Sequence, residues 1–330
     1  MECLGPATTN EAEKKGFSPE EVIMWKGIAF LALVASIAHG GGLSPANSVP
    51  GRAPADDEQV HLNVGGVDRM YLLHVPESLP KTGPVPLVLV FHGGGGHAAN
   101  MPNFTHFDQV ADQEGFLVAY PESFNKSWSD TRGLSPADDV GFIRAMIEEL
   151  QRTHRADPKR TYAAGISNGG FFANRLACDL TDKLAAVAAV AATMPDTLPP
   201  ACHPSAPISV LFMHGTKDPL VHIEGGPMLR NRGVAISLAQ AAEFWRKWDA
   251  ASSQPVVENL PNRTDDGTSV RREVYAGGKQ GTEVVVYVIE GGGHTWPHGP
   301  QYLPAFLVGK ASRNLDGTET IWEFFKRHRR

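Results

Sequence analysis

Apolar positions along this chain gather into short runs separated by polar, glycine-rich or proline-rich stretches. Residues 86–91 (PLVLVF), 116–120 (FLVAY), 161–165 (TYAAG), 208–213 (ISVLFM) and 284–289 (VVVYVI) are nearly continuous apolar segments. Runs this short are expected of strands covered on both faces, as in parallel sheets. Residues 60–64 and 70–75 flank Gly65-Gly66 and predict a hairpin. Helical spacing appears between the runs: at Val140, Ile143, Ile147 and Leu150, around Phe171 and Leu176, and at Ala241, Phe244, Trp245 and Trp248. Asp316 followed by Glu319 has the spacing of a capping box and predicts the start of a last helix. Strands alternating with helices predict an α/β fold with a mainly parallel central sheet and helices on both faces. Ligands of such sheets bind beyond the carboxyl ends of the strands, so the chemistry is expected there.

The first fifty-odd residues break this pattern. Residues 27–38 (GIAFLALVASIA) are almost wholly apolar, follow Lys26 and end on Ser36-Ile37-Ala38, with small residues at the −3 and −1 positions. The run is far short of the roughly 20 residues that span a bilayer, and its layout is that of a cleaved signal peptide. Met24-Trp25-Lys26 has the form of an ordinary start for such a peptide, so translation is expected to begin at Met24 within the 1–38 signal region. Residues 39–55 are rich in Gly, Pro, Ser and Ala and predict a flexible linker. One catalytic domain is then expected over 56–330, in a protein that is exported (extracellular or periplasmic) and carries no stable membrane anchor.

Composition narrows the picture. The 330 residues are 42% hydrophobic and 20% charged, with a formal net charge of −6. A packed core is expected, and a nucleic-acid partner is not, since that would call for a basic surface. Three cysteines are present, and Cys3 lies ahead of the expected start. That leaves Cys178 and Cys202, an even number in an oxidising compartment, and they are expected to pair; two buried free thiols are the alternative.

Gly165-Ile166-Ser167-Asn168-Gly169 matches G-x-S-x-G between a predicted strand and a predicted helix. A sharp strand-to-helix turn needs small residues beside it and lifts the hydroxyl into the open at a helix amino end. His92-Gly93-Gly94-Gly95-Gly96 follows the PLVLVF strand. Acyl transfer builds an oxyanion, and glycine amides can approach one without side-chain hindrance. The expected donors are the N–H groups of Gly94, with Gly95 as an alternative, and of Asn168. A phosphate loop is the competing reading, and the missing Gly-Lys-Ser/Thr speaks against it.

A serine hydroxyl needs a base, and that base needs an orienting acid. Asp218 lies just past the ISVLFM strand and His294 just past the VVVYVI strand. Their order after Ser167 is the one this turn motif requires. Ser167, Asp218 and His294 are therefore the expected nucleophile, acid and base, with His298 as a fallback base. His214 is expected to serve the turn before Asp218. Asp138 and Asp139 are expected to open a helix rather than supply the acid. Thirteen histidines invite a metal reading. His294 and His298 are spaced i, i+4, but Pro297 opposes a helix there, and H-E-x-x-H and paired C-x-x-C are both missing. Neither metal nor cofactor is expected. Trp128 and Trp296 are candidate walls of a substrate pocket, with ordinary core packing as the alternative.

These residues together resemble the exported polyhydroxybutyrate depolymerase and feruloyl esterase group of α/β-hydrolases. The resemblance rests on residues 86–95 (PLVLVFHGGG), 115–121 (GFLVAYP), 138–142 (DDVGF), 161–170 (TYAAGISNGG), 175–178 (RLAC), 214–219 (HGTKDP), 293–297 (GHTWP) and 321–325 (IWEFF). It implies an α/β-hydrolase fold and a serine carboxylic ester hydrolase acting through Ser167, Asp218 and His294 on a small-molecule or polymeric ester. It also implies a disulfide near Cys178. A prolyl oligopeptidase-like peptidase, an acyltransferase and a non-catalytic ligand-binding relative are the competing functions.

Overall fold

The computed structural model describes residues 57–229 and 232–330; the expected signal region (1–38) and the expected linker (39–55) lie outside them. The element order begins β1 (Glu58–Val64), β2 (Val67–His74), β3 (Val85–Phe91), β4 (Leu117–Pro121), β5 (Ala156–Ile166) and β6 (Ala186–Val190). It continues β7 (Ser209–Gly215), the short pair β8 (Gly226–Pro227) and β9 (Val234–Ala235), then β10 (Val256–Asn259), β11 (Ser269–Tyr275) and β12 (Val284–Glu290). Ten of these form one sheet in the order β1-β2-β4-β3-β5-β6-β7-β12-β11-β10. The centre, from β4 to β12, is parallel, and antiparallel pairs close both ends.

Side chains of β3 show how the sheet is covered. Leu87, Leu89 and Phe91 enter one core with the helices Asp139–Thr153, Asn168–Asp179 and Leu238–Asp249. Val88 and Val90 point the other way, into a second core with the helices Phe107–Glu114 and Gly317–Phe325. Alternation along the strand thus feeds two apolar layers, which is why the strand reads as an unbroken apolar run. Among the described residues, no helix is long and apolar enough to cross a membrane.

Helix starts follow local chemistry. Asp138 accepts a hydrogen bond from Gly141 N at 2.8 Å and Asp316 one from Glu319 N at 2.9 Å, and Ser237 forms a full capping box with Gln240. Asp139 does more than complement a helix dipole. It is fully buried, accepts from Arg69 Nη2 at 2.7 Å and Ser129 N at 2.8 Å, and so ties the segment before the helix to β2. Cys178 and Cys202 are bonded, with Cα atoms 5.0 Å apart, fixing the end of the helix Asn168–Asp179 to the segment before β7.

Strands β6, β10 and β11 are additions to the expected set. AVAAV in β6 is wholly buried at the sheet centre, although alanine favours helices in isolation. β10 is an exposed edge strand without the alternation that marks a half-buried one.

Asp249, the last residue of its helix, is buried and accepts from Ile208 N at 3.3 Å. Burial pushes its carboxyl up to about 7. The unfolded chain loses this proton near pH 4 while the folded chain keeps it to about 7. Stability should therefore fall as pH rises from about 4 to about 7 and then level off. Asp249→Asn should raise the unfolding midpoint at pH 8 by several degrees and leave it nearly unchanged at pH 4. Equal effects at both values in thermal unfolding scans would contradict this assignment.

Candidate active site

The strand register brings distant residues to one rim. Gly165 of β5 lies level with Ala189 of β6, Phe212 of β7 and Val286 of β12. Ser167 follows Gly165 by two residues, and Asp218 and His294 lie in the loops leaving β7 and β12, so all three belong to the carboxyl edge.

Ser167 sits at the turn from β5 into the helix Asn168–Asp179, with φ 55° and ψ −122°. A non-glycine residue there costs of order 1–3 kcal/mol and persists only where its surroundings impose it. The surroundings here are two glycines. A Cβ on Gly165 would strike the backbone of Gly169, and one on Gly169 would lie 2.5 Å from Phe91 O and 2.6 Å from His92 O. Ser167 N donates to Val190 O at 2.9 Å, and Phe171 N returns to Ser167 O at 2.9 Å to start the helix. From Thr161 to Asn174, every residue is buried except Ser167.

The glycine loop after β3 lies against this turn. A Cβ on Gly93 would be 3.4 Å from Ser167 Cβ, and one on Gly94 would be 3.6 Å from Asn168 Cβ. Gly95 N is spent on Lys126 O at 2.8 Å and Gly96 N on Gly93 O at 3.0 Å. Gly94 N and Asn168 N make no hydrogen bond among the described residues. His92 is locked as a neutral spacer. Ser123 N donates to its Nε2 at 3.2 Å, so Nδ1 carries the proton and donates to Gly93 O at 2.8 Å. Burial lowers its pKa, against that hydrogen bond.

Trp128 and Trp296 depart from the expectation of pocket walls. Trp128 is fully buried, stacks on Phe172 at 5.0 Å and donates Nε1–H to His92 O at 2.9 Å. Its backbone N donates to Asn168 Oδ1 at 2.7 Å, and Asn168 Nδ2 donates to Asp130 Oδ2 at 2.6 Å. Trp296 is buried against Phe107 and donates to Thr318 Oγ1 at 2.9 Å. Both rings are committed behind the site, because an indole N–H removed from water must find a partner. The fixing of the Asn168 side chain by residues 128–130 had no signal in the sequence.

His294 Nδ1 lies 2.8 Å from Asp218 Oδ2, with both side chains buried. The other carboxylate oxygen of Asp218 accepts from Leu220 N at 2.8 Å and Val221 N at 2.9 Å. Burial works to raise the Asp218 pKa, but His294, His214 and the Val221 amide together hold it below the usual carboxylate range. The imidazole therefore donates from Nδ1, which leaves Nε2 with a free lone pair. His214 closes the same loop by donating Nε2–H to Val221 O at 2.8 Å, as its place before Asp218 suggests. His298 instead faces Asp316 at 3.0 Å.

Among the described residues, Asp57, His74 and Asp108 offer ligand atoms within 4.8 Å of one another. They form an ion-paired cluster, with the His74 ring nitrogens at 3.1 Å from Asp57 and 3.0 Å from Asp112, and with Tyr120 donating to Asp108 at 2.6 Å. The cluster is built on β2, β4 and the helix Phe107–Glu114, away from the rim that carries Ser167.

A mainly parallel sheet in this order, with a strained serine turn beside a glycine loop, defines an α/β-hydrolase. Residues 70–223 match the family model described as esterase PHB depolymerase. NocK of Nocardia uniformis subsp. tsuyamanensis, itself an inferred esterase, is 37% identical over 279 residues, covering 79% of this chain and 80% of NocK. Feruloyl esterase D of Neurospora crassa is 25% identical over 90% of this chain and 96% of its own length. The solved acetyl xylan esterase from Aspergillus awamori superposes with a TM-score of 0.56 at 13% identity, over 82% of this chain and 99% of that one, a likeness of fold. The chain belongs to the polyhydroxybutyrate depolymerase and feruloyl esterase-like group and is a carboxylic ester hydrolase.

Gly169→Ala should destabilise the protein by about 1–3 kcal/mol, the range for forcing a methyl into a filled space. It should also depress ester turnover, since the serine turn would have to move away from β3. Urea unfolding and initial rates check this together; an unaltered pair of values would mean that the two backbones are not held so close.

Proposed function

We propose that the protein is an exported serine esterase that works by two-step acyl transfer. Ser167 attacks the ester carbonyl while His294 Nε2 takes its proton. The N–H groups of Gly94 and Asn168 receive the oxyanion. His294 then protonates the departing alcohol, activates water and releases the acid from Ser167. Asp218 holds the imidazole tautomer and stabilises imidazolium as it forms. Each oxyanion donor contributes about 3 kcal/mol to transition-state stabilisation in enzymes of this type.

The observation that carries this reading is the buried 2.8 Å contact between His294 and Asp218, in loops leaving the same sheet edge as the strained serine. Donor choice is supported by Gly95, whose N–H is already engaged, and by Asn168, whose N–H opens a helix. Export is supported by the apolar run of residues 27–38 and by the Cys178–Cys202 bond, which belongs to oxidising compartments. The substrate is a small or polymeric ester. The names of the relatives make methyl ferulate and acetylated xylan natural members of a first panel, beside short p-nitrophenyl esters and hydroxybutyrate oligomers.

Ser167→Ala should abolish p-nitrophenyl ester turnover, by about 10⁴-fold or more as when such a serine unit is broken, while thermal unfolding stays nearly unchanged. Retained turnover would place the nucleophile elsewhere.

A further inference from the structure

Arg232 stands next to the proposed oxyanion donors, and among the described residues no acid is paired with it. It lies in the loop that joins β8 to β9, where Met228 N donates to Gly233 O at 2.9 Å and Asp196 N to Val234 O at 3.1 Å. Its guanidinium rests on Gly94: a Cβ there would collide with Arg232 Nη1 and lie 3.5 Å from Cζ. The same position is 3.6 Å from Asn168 Cβ. Arg232 is half-buried, and its guanidinium makes no hydrogen bond or ion pair among the described residues.

The acid that holds the Asn168 side chain is already in use. Asp130 is fully buried, pairs with Arg132 and accepts from Arg132 Nε at 3.0 Å and from Asn168 Nδ2 at 2.6 Å. Arg132 in turn lies over the Phe171 ring and donates Nη1–H to the Arg232 carbonyl at 3.1 Å, so it holds the backbone of Arg232 while consuming the local negative charge. A partly desolvated guanidinium with five donors is best satisfied by a planar anion, which it can grip through two parallel hydrogen bonds. Its position sets which part of the substrate supplies that anion. The alcohol must depart beside His294 to be protonated. Arg232 touches Gly94, on the side of the serine turn occupied by the glycine loop, so a group that reaches it extends from the acyl side.

We propose that Arg232 is a specificity-determining residue that selects esters whose acyl chain ends in a carboxylate, the half-esters of dicarboxylic acids. This rests on the acyl-enzyme reading above. The test compares mono-p-nitrophenyl glutarate with its methyl-capped, uncharged counterpart, using wild type, Arg232→Gln and Arg232→Lys. The ratio of kcat/KM, half-ester over capped ester, should fall about 10- to 100-fold in Arg232→Gln, the range for a lost hydrogen bond to a charged group. It should recover in part in Arg232→Lys. In wild type alone, free glutarate should inhibit capped-ester hydrolysis more strongly than glutaramide, which needs no variant to fold. An unchanged ratio in Arg232→Gln, whether both rates fall together or neither does, overturns the proposal, as does equal inhibition by glutarate and glutaramide. Failure of the acyl-enzyme reading is seen separately, as capped-ester turnover that survives in Ser167→Ala.

Discussion

Everything at this site depends on how closely two pieces of backbone approach each other. The turn that carries Ser167 lies under the end of β3, with Gly169 against the carbonyls of Phe91 and His92 and with Gly165 against Gly169. No side chain larger than hydrogen fits at either glycine. The strained φ and ψ of Ser167 follow from that contact, because the chain must leave β5 and enter a helix within a residue or two. The same approach presses the glycine loop after β3 onto the helix amino end. One packing constraint thus fixes both the Ser167 turn and the amides beside it.

A buried polar network keeps this arrangement from drifting. Residues 128–130 grip the Asn168 side chain from two directions, Trp128 fills the space behind His92, and Asp139 anchors Ser129 with help from Arg69. Two carboxylates are buried in this knot, and each is met by an arginine and by amides. Buried charge is costly unless it is both paired and hydrogen-bonded, so these partners succeed or fail as a set. A network of this kind adds less to net stability than to definition, since a misplaced loop would leave several groups unsatisfied at once.

Much of the frame was legible in the sequence because it is written in short range. Apolar runs mark β3, β4, β7 and β12, and Asp138 and Asp316 announce their helices. The serine turn, the glycine loop, Asp218 and His294 could be read because each follows a strand signal and obeys a chain order. What escaped the sequence depends on tertiary context. β6 (AVAAV) is alanine-rich and wholly buried, so it carries neither the alternation nor the bulky β-branched run that would mark a strand. β10 gives no periodic signal because both its faces are wet. Trp128 and Trp296 read as candidate pocket walls, with core packing as the alternative, and only the fold shows their N–H groups turned inward. Arg232 gave no sign at all, since its neighbours Gly94 and Asn168 are remote in sequence.

The Cys178–Cys202 bond joins the helix that begins at Ser167 to the stretch that feeds β7, the strand leading to Asp218. Breathing of that helix from its far end is therefore tethered to the strand on the acid's side, and the two can move only together. Surroundings that preserve cystine maintain the tether. A reducing milieu would cut it and leave that corner of the protein to non-covalent contacts, the Thr181–Ser205 hydrogen bonds among them.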